Sequence, residues 1–209
     1  MGWRDFFRRQ AAAPEILDIP LFPLNTVLFP GETLDLKVFE PRYLDMASAA
    51  LKDGSPFGIC LIAQGQEVGH PAEPHPVGTL AEIERWDMPQ LGILMLTVRG
   101  GQRFNVLESS AQADGLLRAR VAPLAEAPSR AIPPAQATLV PLLRQIIADR
   151  GDAHCPPPHH FDDAAWVGYR LAEVMPVQPL AKQKLLELED PVSRLEILQK
   201  YLAQRGLVG

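Results

Sequence analysis

The sequence predicts an α+β chain, with a β-barrel or sandwich interrupted by one early helix and followed by a helical bundle. Three observations carry this. As far as Leu124, short apolar runs alternate with turn residues at the spacing of about 8–12 positions that marks barrels and sandwiches. Among those runs, Tyr43, Leu44, Ala47 and Leu51 recur at helical spacing. From Ala125 to Pro134 (AEAPSRAIPP) the composition turns proline-rich, and beyond it the apolar residues keep only helical spacing. The predicted units are residues 14–125 and 133–206.

The first unit is organised around Ile19 to Met46, IPLFPLNTVLFPGETLDLKVFEPRYLDM. Pro20, Pro23, Pro30 and Pro41 each fix φ and remove a donor, which predicts extended pieces joined by turns and excludes an interior sheet strand. Asn25-Thr26 and Pro30-Gly31 are the turns, the second fitting a type II turn. Leu34, Leu36 and Val38 alternate as a strand. Glu40-Pro41 ends it and opens a helix to about Lys52, with Pro41 at the first helical position and Gly54 at the left-handed cap.

Phe57 to Ala63 is the next strand, then a Gly-, Pro- and His-rich loop from Gln64 to His75. Val77 to Trp86 is a strand with broken alternation, the mark of a bulge. Asp87-Met88-Pro89-Gln90 is the expected hairpin turn before a central apolar strand from Leu91 to Val98. Gly100-Gly101 is a second turn, leading into Gln102 to Glu108, and Leu116 to Leu124 is the last strand. In the second unit, helices are expected over 135–149, over 164–174 behind Asp162-Asp163, from Pro179, and from Pro191 behind Asp190.

A chain of 209 residues can bury roughly 70% of its unfolded surface, enough for a sizeable core. Its net charge of −5 argues against nucleic acid, whose phosphates require a basic stripe. No run of about 18 apolar residues is present, so no membrane span is expected. The first residues, MGWRDFFRRQAAAPE, lack the apolar region of a secretory signal. They read as a short amphipathic helix, with Trp3, Phe6 and Phe7 opposite the arginines, that packs on its own domain or meets a partner or membrane surface. The expected location is cytoplasmic.

Motifs for chemistry are few. His154, Cys155, His159 and His160 in HCPPPHH are the candidate metal ligands. The adjacent histidines and intervening prolines hinder convergence, so the segment is read as a solvated loop. No cofactor is expected. No G-x-S-x-G elbow or G-x-x-x-x-G-K-[ST] loop occurs, so neither a serine hydrolase nor an ATPase is predicted. Cys60, in an apolar run, reads as core. Glu40, Arg42 and Tyr43 are read either as an ion pair fixing the strand-to-helix corner or as partner-facing groups. Arg103, in a barrel strand, carries the same two readings, pairing with an internal carboxylate or facing a partner. Phe22, Leu28 and Phe29 are core with a share in an exposed groove, where an extended segment can offer its backbone to a peptide.

The stretch PLFPLNTVLFPGETLDLKVFEPRY resembles the opening of the Lon substrate-binding domain, the N-terminal domain of Lon-type proteases. Phe57 to Ile62, Val77 to Ile83, Gly101 to Val106 and the closing QPLAKQKLLELEDPVSRLEILQKYL continue the similarity over residues 17–205, most closely to small bacterial proteins containing that domain alone. The resemblance implies a PUA-like β pseudo-barrel with an inserted helix, followed by a C-terminal helical bundle. It also implies a non-catalytic module, without the ATPase and protease domains, that binds hydrophobic or unfolded polypeptide or docks on a protein partner. The expected contact residues are then Phe22, Leu28, Phe29, Glu40, Arg42 and Tyr43. Met88-Pro89-Gln90 and Asp114-Gly115 depart from the family's loops, so substrate preference does not transfer. The alternatives are a small ligand-binding protein or enzyme reusing the fold, and a homodimer whose apolar patch is its own interface.

Overall fold

The structure, a computed structural model, describes residues 15–151 and 155–208. The amphipathic reading of Trp3, Phe6 and Phe7, and His154, lie outside them. The order is β1 (Leu17–Leu24), β2 (Thr33–Val38), α1 (Pro41–Asp53), β3 (Phe57–Gln64), β4 (Glu73–Gln90), β5 (Ile93–Ala111) and β6 (Leu117–Pro123). A 3-10 turn (Pro134–Gln136) and helices α2 (Leu139–Arg150), α3 (Ala164–Val174), α4 (Pro179–Glu187) and α5 (Pro191–Gln204) follow. The six strands run β2-β5-β4-β3-β1-β6, and a further β5–β6 pairing closes all but β2 into a ring. That is the pseudo-barrel and bundle expected from the sequence.

The two prolines of β1 do not keep it out of the sheet interior, contrary to expectation. β1 lies between β6 and β3, but the neighbours engage it in succession. Leu17–Leu21 pair antiparallel with Val121–Leu117 of β6, whereas Leu21–Leu24 pair parallel with Gly58–Leu61 of β3. Pro20 and Pro23 therefore each sit where one side of the strand has no ladder partner, which is the condition a strand proline needs.

The β4–β5 hairpin is also longer than expected. Asp87–Gln90 belong to β4, whose start at Glu73 takes in the end of the predicted loop, and the reversal falls at Leu91-Gly92, with Gly92 at φ 80°. A short loop needing positive φ selects the glycine over the Met-Pro pair. Gly100-Gly101 is likewise no turn. β5 runs straight through it, and the register slips by one residue between Thr79↔Arg103 and Ala81↔Gly100, a bulge that bends the strand. A Cβ on Gly100 would lie 2.2 Å from the Phe29 carbonyl oxygen, so the glycine is where the lead loop reaches the barrel wall.

The caps form as the residues dictate. Glu40 and Gly54 bound α1, and the Asp163 and Asp190 carboxylates accept from the N–H groups of Ala165 and Ser193 at the starts of α3 and α5. The helix predicted from Ala135 begins instead with the 3-10 turn at Pro134 and becomes α-helical at Leu139.

The loop between β1 and β2 joins the two units. Leu28 enters the barrel core with Phe57, Leu96 and Val98, whereas Val27 and Phe29 enter the helical core with Leu143, Tyr169 and Leu195. Thr79 Oγ1 donates to the Leu28 carbonyl (2.7 Å), and Arg170 Nη2 of α3 to that of Pro30 (2.7 Å). Gly31 N–H donates to the Gly100 carbonyl, and Gly100 N–H to that of Glu32.

Candidate functional site

The six expected contact residues of the lead stretch are placed largely inside. Phe22, Leu28, Phe29, Arg42 and Tyr43 are all buried, and the Glu40 side chain is 19% exposed. Phe22 stacks on Tyr43 with ring centroids 4.1 Å apart. The Glu40–Arg42 ion pair forms at the strand-to-helix corner (2.9 Å), and Arg42 Nη1 donates to the Gly115 carbonyl (3.0 Å). These residues offer a partner little surface in this structure.

Of the described residues of the HCPPPHH segment, Pro157, Pro158 and His160 are exposed, as a solvated loop requires, but the segment is also anchored to the bundle. Cys155 is buried, and His159 Nε2 lies 2.9 Å from the Cys155 carbonyl oxygen. The His159 and His160 rings pack on Trp166 of α3, and Phe161 lies between Trp166 and the Arg144 guanidinium, 3.7 Å from its ring centre. Apolar and cation–π contacts hold the segment to the bundle. Among the described residues, no group of three His, Cys, Asp or Glu side chains is placed to hold a metal ion. Burial pushes the Cys60 thiol up to about 12, consistent with a packed core residue.

Among the described residues, Arg103 is hydrogen-bonded to carbonyls rather than to a carboxylate. Its Nη1 donates to the Leu186 (2.7 Å) and Leu188 (3.1 Å) carbonyls at the end of α4. Arg194 joins it from α5, with Nε on the Leu185 carbonyl (2.9 Å), a contact to the Leu188 carbonyl, and its guanidinium over the Tyr169 ring. Two buried cations thus satisfy the carbonyls that a helix C-terminus leaves open, where the macrodipole favours positive charge. Burial lowers the proton affinity of Arg194 and raises that of the Tyr169 hydroxyl.

A third polar cluster sits where the lead loop meets α3. Arg170 Nε contacts Glu173 Oε2 at 3.2 Å, and Lys182 Nζ donates to the Glu173 carbonyl (2.6 Å). Glu32 accepts from the Phe29 N–H (2.8 Å) beside them. Burial, reinforced by Glu173 and opposed by the Phe29 N–H, Arg170 and Lys182, raises the Glu32 carboxyl to about 7.

The arginine-held end of α4 shapes a concave surface. A groove of about 500 Å³ opens between α4 and α5, lined by Met175, Val177, Leu185, Leu188, Leu198 and Tyr201, with Ile197 also on its wall. Its lining is almost wholly apolar, with Lys184 and Glu187 at the margin joined by a 2.7 Å ion pair. The Tyr201 hydroxyl is buried and has no hydrogen-bond partner among the described residues. Ile197 is 46% exposed despite its size. Such a groove can take aliphatic or aromatic side chains. The sequence conceals it because Leu195, Leu198 and Leu202, at helical spacing, mark only the buried face of α5. The signal available was Ile197 and Tyr201, large side chains on the flank of that face.

A second exposed apolar surface is the tip of the β4–β5 hairpin, where Trp86, Met88, Leu91 and Met95 are exposed. No helix among the described residues is long and apolar enough to cross a membrane.

Comparison with known proteins adds to this geometry. The family described as the ATP-dependent protease La (LON) substrate-binding domain matches residues 18–204. A Lon N-terminal domain protein from Xanthomonas campestris, of known crystal structure, is 36% identical, with a TM-score of 0.75 over 88% of this chain and 98% of that one. The Lon protease of Methylocella silvestris is 30% identical over 194 residues, 86% of this chain but 23% of its own length. Protein cereblon of Xenopus tropicalis is 34% identical over 119 residues, 55% of this chain and 25% of that protein. The chain thus spans about a quarter of the length of these two curated relatives.

Proposed function

We propose, since the chain belongs to the Lon substrate-binding domain family, that it is a non-catalytic module that binds hydrophobic segments of unfolded polypeptide in the groove between α4 and α5. The observation that carries the reading is that groove, about 500 Å³, apolar and open. An unfolded chain exposes leucine, phenylalanine and similar side chains that a folded one buries, and an apolar groove selects for them without reading an exact sequence. Nothing in this mode requires a nucleophile, a metal or a nucleotide.

The test is binding of fluorescently labelled, reduced and unfolded casein, followed by anisotropy, with a folded protein as control. Saturable binding in the micromolar range is expected. Ile197→Glu places a charge on the groove wall at a half-exposed position and should weaken binding about tenfold or more without unfolding the protein. Leu91→Glu at the hairpin tip, where the side chain is 92% exposed, should leave it unchanged. Equal affinity for folded and unfolded casein, or loss of binding in the hairpin variant alone, would overturn the assignment.

A further inference from the structure

β2 leaves one edge of the sheet open. It pairs with β5 over Thr33–Val38 and, among the described residues, with no other strand, whereas β5, β4, β3, β1 and β6 close on one another. The direction of its backbone groups follows from the ladder. The Gly100 N–H donates to the Glu32 carbonyl, so Glu32 stands at a hydrogen-bonded position, and in an antiparallel pair such positions recur at every second residue. Leu34, Leu36 and Val38 therefore turn their N–H and C=O groups to Val98, Leu96 and Leu94 of β5. Thr33, Asp35 and Lys37 turn theirs outward, where no backbone group of a loop or helix among the described residues bonds to them.

Two of the usual guards of such an edge are missing from β2. It contains no proline, and its register with β5 runs without a bulge. A lone lysine would guard it by repelling its like, but Asp35 stands two residues from Lys37 on the same exposed face. Asp35 Oδ1 accepts from Thr97 Oγ1 (2.7 Å), which leaves Oδ2 open, and no ion pair or hydrogen bond engages the Lys37 ammonium among the described residues. An aspartate and a lysine so spaced are complementary to a second copy of themselves. When two such strands run antiparallel about a two-fold axis at Leu36, Asp35 of each lies opposite Lys37 of the other. These are the residues whose backbone groups point outward, so the register that pairs the charges also makes hydrogen-bonded pairs. Moving the axis to Asp35 or to Lys37 sets like charges face to face. Past the strand end, Phe39, 49% exposed, falls across from Thr33 of the other copy.

We propose that two copies of this chain associate edge to edge through β2, antiparallel about Leu36, with Asp35 of each paired to Lys37 of the other and the two sheets joined into one. The strands are short and the ion pairs exposed, so the dimer dissociates at about 10–100 µM. β2 contributes no residue to the α4–α5 groove, so the dimer and the polypeptide site stand or fall separately.

Sedimentation velocity over about 1–300 µM protein reads the association. A concentration-dependent dimer is expected of the native chain. Asp35→Lys leaves two lysines on the edge and Lys37→Asp two aspartates, each facing its like in a homodimer. Both positions are exposed, and urea midpoints check that the variants fold. Each alone should dissociate about tenfold or more readily than the native chain. Mixed in equal amounts, the two should form a one-to-one heterodimer of native affinity, and Asp35→Lys/Lys37→Asp in one chain should restore the homodimer. Lys37→Pro removes an outward N–H and no bond to β5, and should abolish the dimer. A native chain monomeric up to about 300 µM, or a homodimer that both single variants leave intact, would overturn the proposal. So would single variants that lose the dimer while neither their mixture nor the double variant recovers it.

Discussion

Replacing Glu32 with glutamine should stabilise the protein at alkaline pH and do little at acidic pH. Glu32 lies where the lead loop docks on α3, its carboxyl raised from 4.5 to about 7 by burial and by Glu173. The folded state therefore holds this proton more tightly than the unfolded chain does. Between pH 4.5 and about 7 the native protein binds more protons than the unfolded one, so the stability contributed by this group falls as pH rises through that window. Each tenfold difference in proton affinity is worth about 1.4 kcal/mol, so the ionised carboxylate costs the fold about 3 kcal/mol once the pH is above 7. Glutamine removes that cost, and its side-chain oxygen can still accept from the Phe29 N–H. Urea unfolding of both proteins at pH 5, 6, 7 and 8 is the assay. With a slope of roughly 2 kcal/mol per molar urea, the variant's midpoint should exceed the native one by about 1.5 M at pH 8 and converge with it toward pH 5. Other titrating groups cancel in the difference. A midpoint difference that stays constant from pH 5 to pH 8 would refute the assignment of the raised carboxyl to Glu32.

Two further outcomes test how the lead loop is held. Gly100→Ala drives a methyl group into the Phe29 carbonyl, a backbone atom with no room to move, and should cost about 2 kcal/mol or more in chemical denaturation. Phe29→Ala opens a cavity beside Tyr169, whose ring centroid lies 5.9 Å from that of Phe29, and should cost about 3–5 kcal/mol. Because Phe29 belongs to the helical core although it precedes β2, strand and helix signals should lose stability together. Separate transitions, with only one shifted, would refute a shared core.

The local signals in the sequence were strong where one residue does one job. Asp163 and Asp190 cap helices, Pro41 opens one, and the apolar alternation of β2 and β6 sets their faces. Reading failed where two elements decide together. Pro20 and Pro23 argue against an interior strand only if both neighbours pair along its whole length, and here β6 and β3 take turns. Gly100-Gly101 looks like a turn until Phe29 is brought against it, after which it is the place where a wall must be thin. The lead stretch stood out because it is dense in apolar residues, yet that density serves two cores rather than a surface. The groove was illegible for the converse reason. Met175, Leu188, Ile197 and Tyr201 come from separate segments and become one surface only when Arg103 and Arg194 fix the end of α4.

The alternate destinations of Val27, Leu28 and Phe29 also bear on how the chain is made. Leu28 can be buried as soon as the strands assemble, but its two neighbours wait for helices far behind them in the sequence, as the contact between Pro30 and Arg170 across 140 residues shows. During synthesis a finished barrel would carry Val27 and Phe29 uncovered until α3 and α5 have left the ribosome. The chain therefore passes through a period in which it displays the kind of apolar surface proposed here as its own ligand, and long-range closure of this sort is slow. Nascent chains of this protein would then rank among the first clients a neighbouring, completed copy could meet.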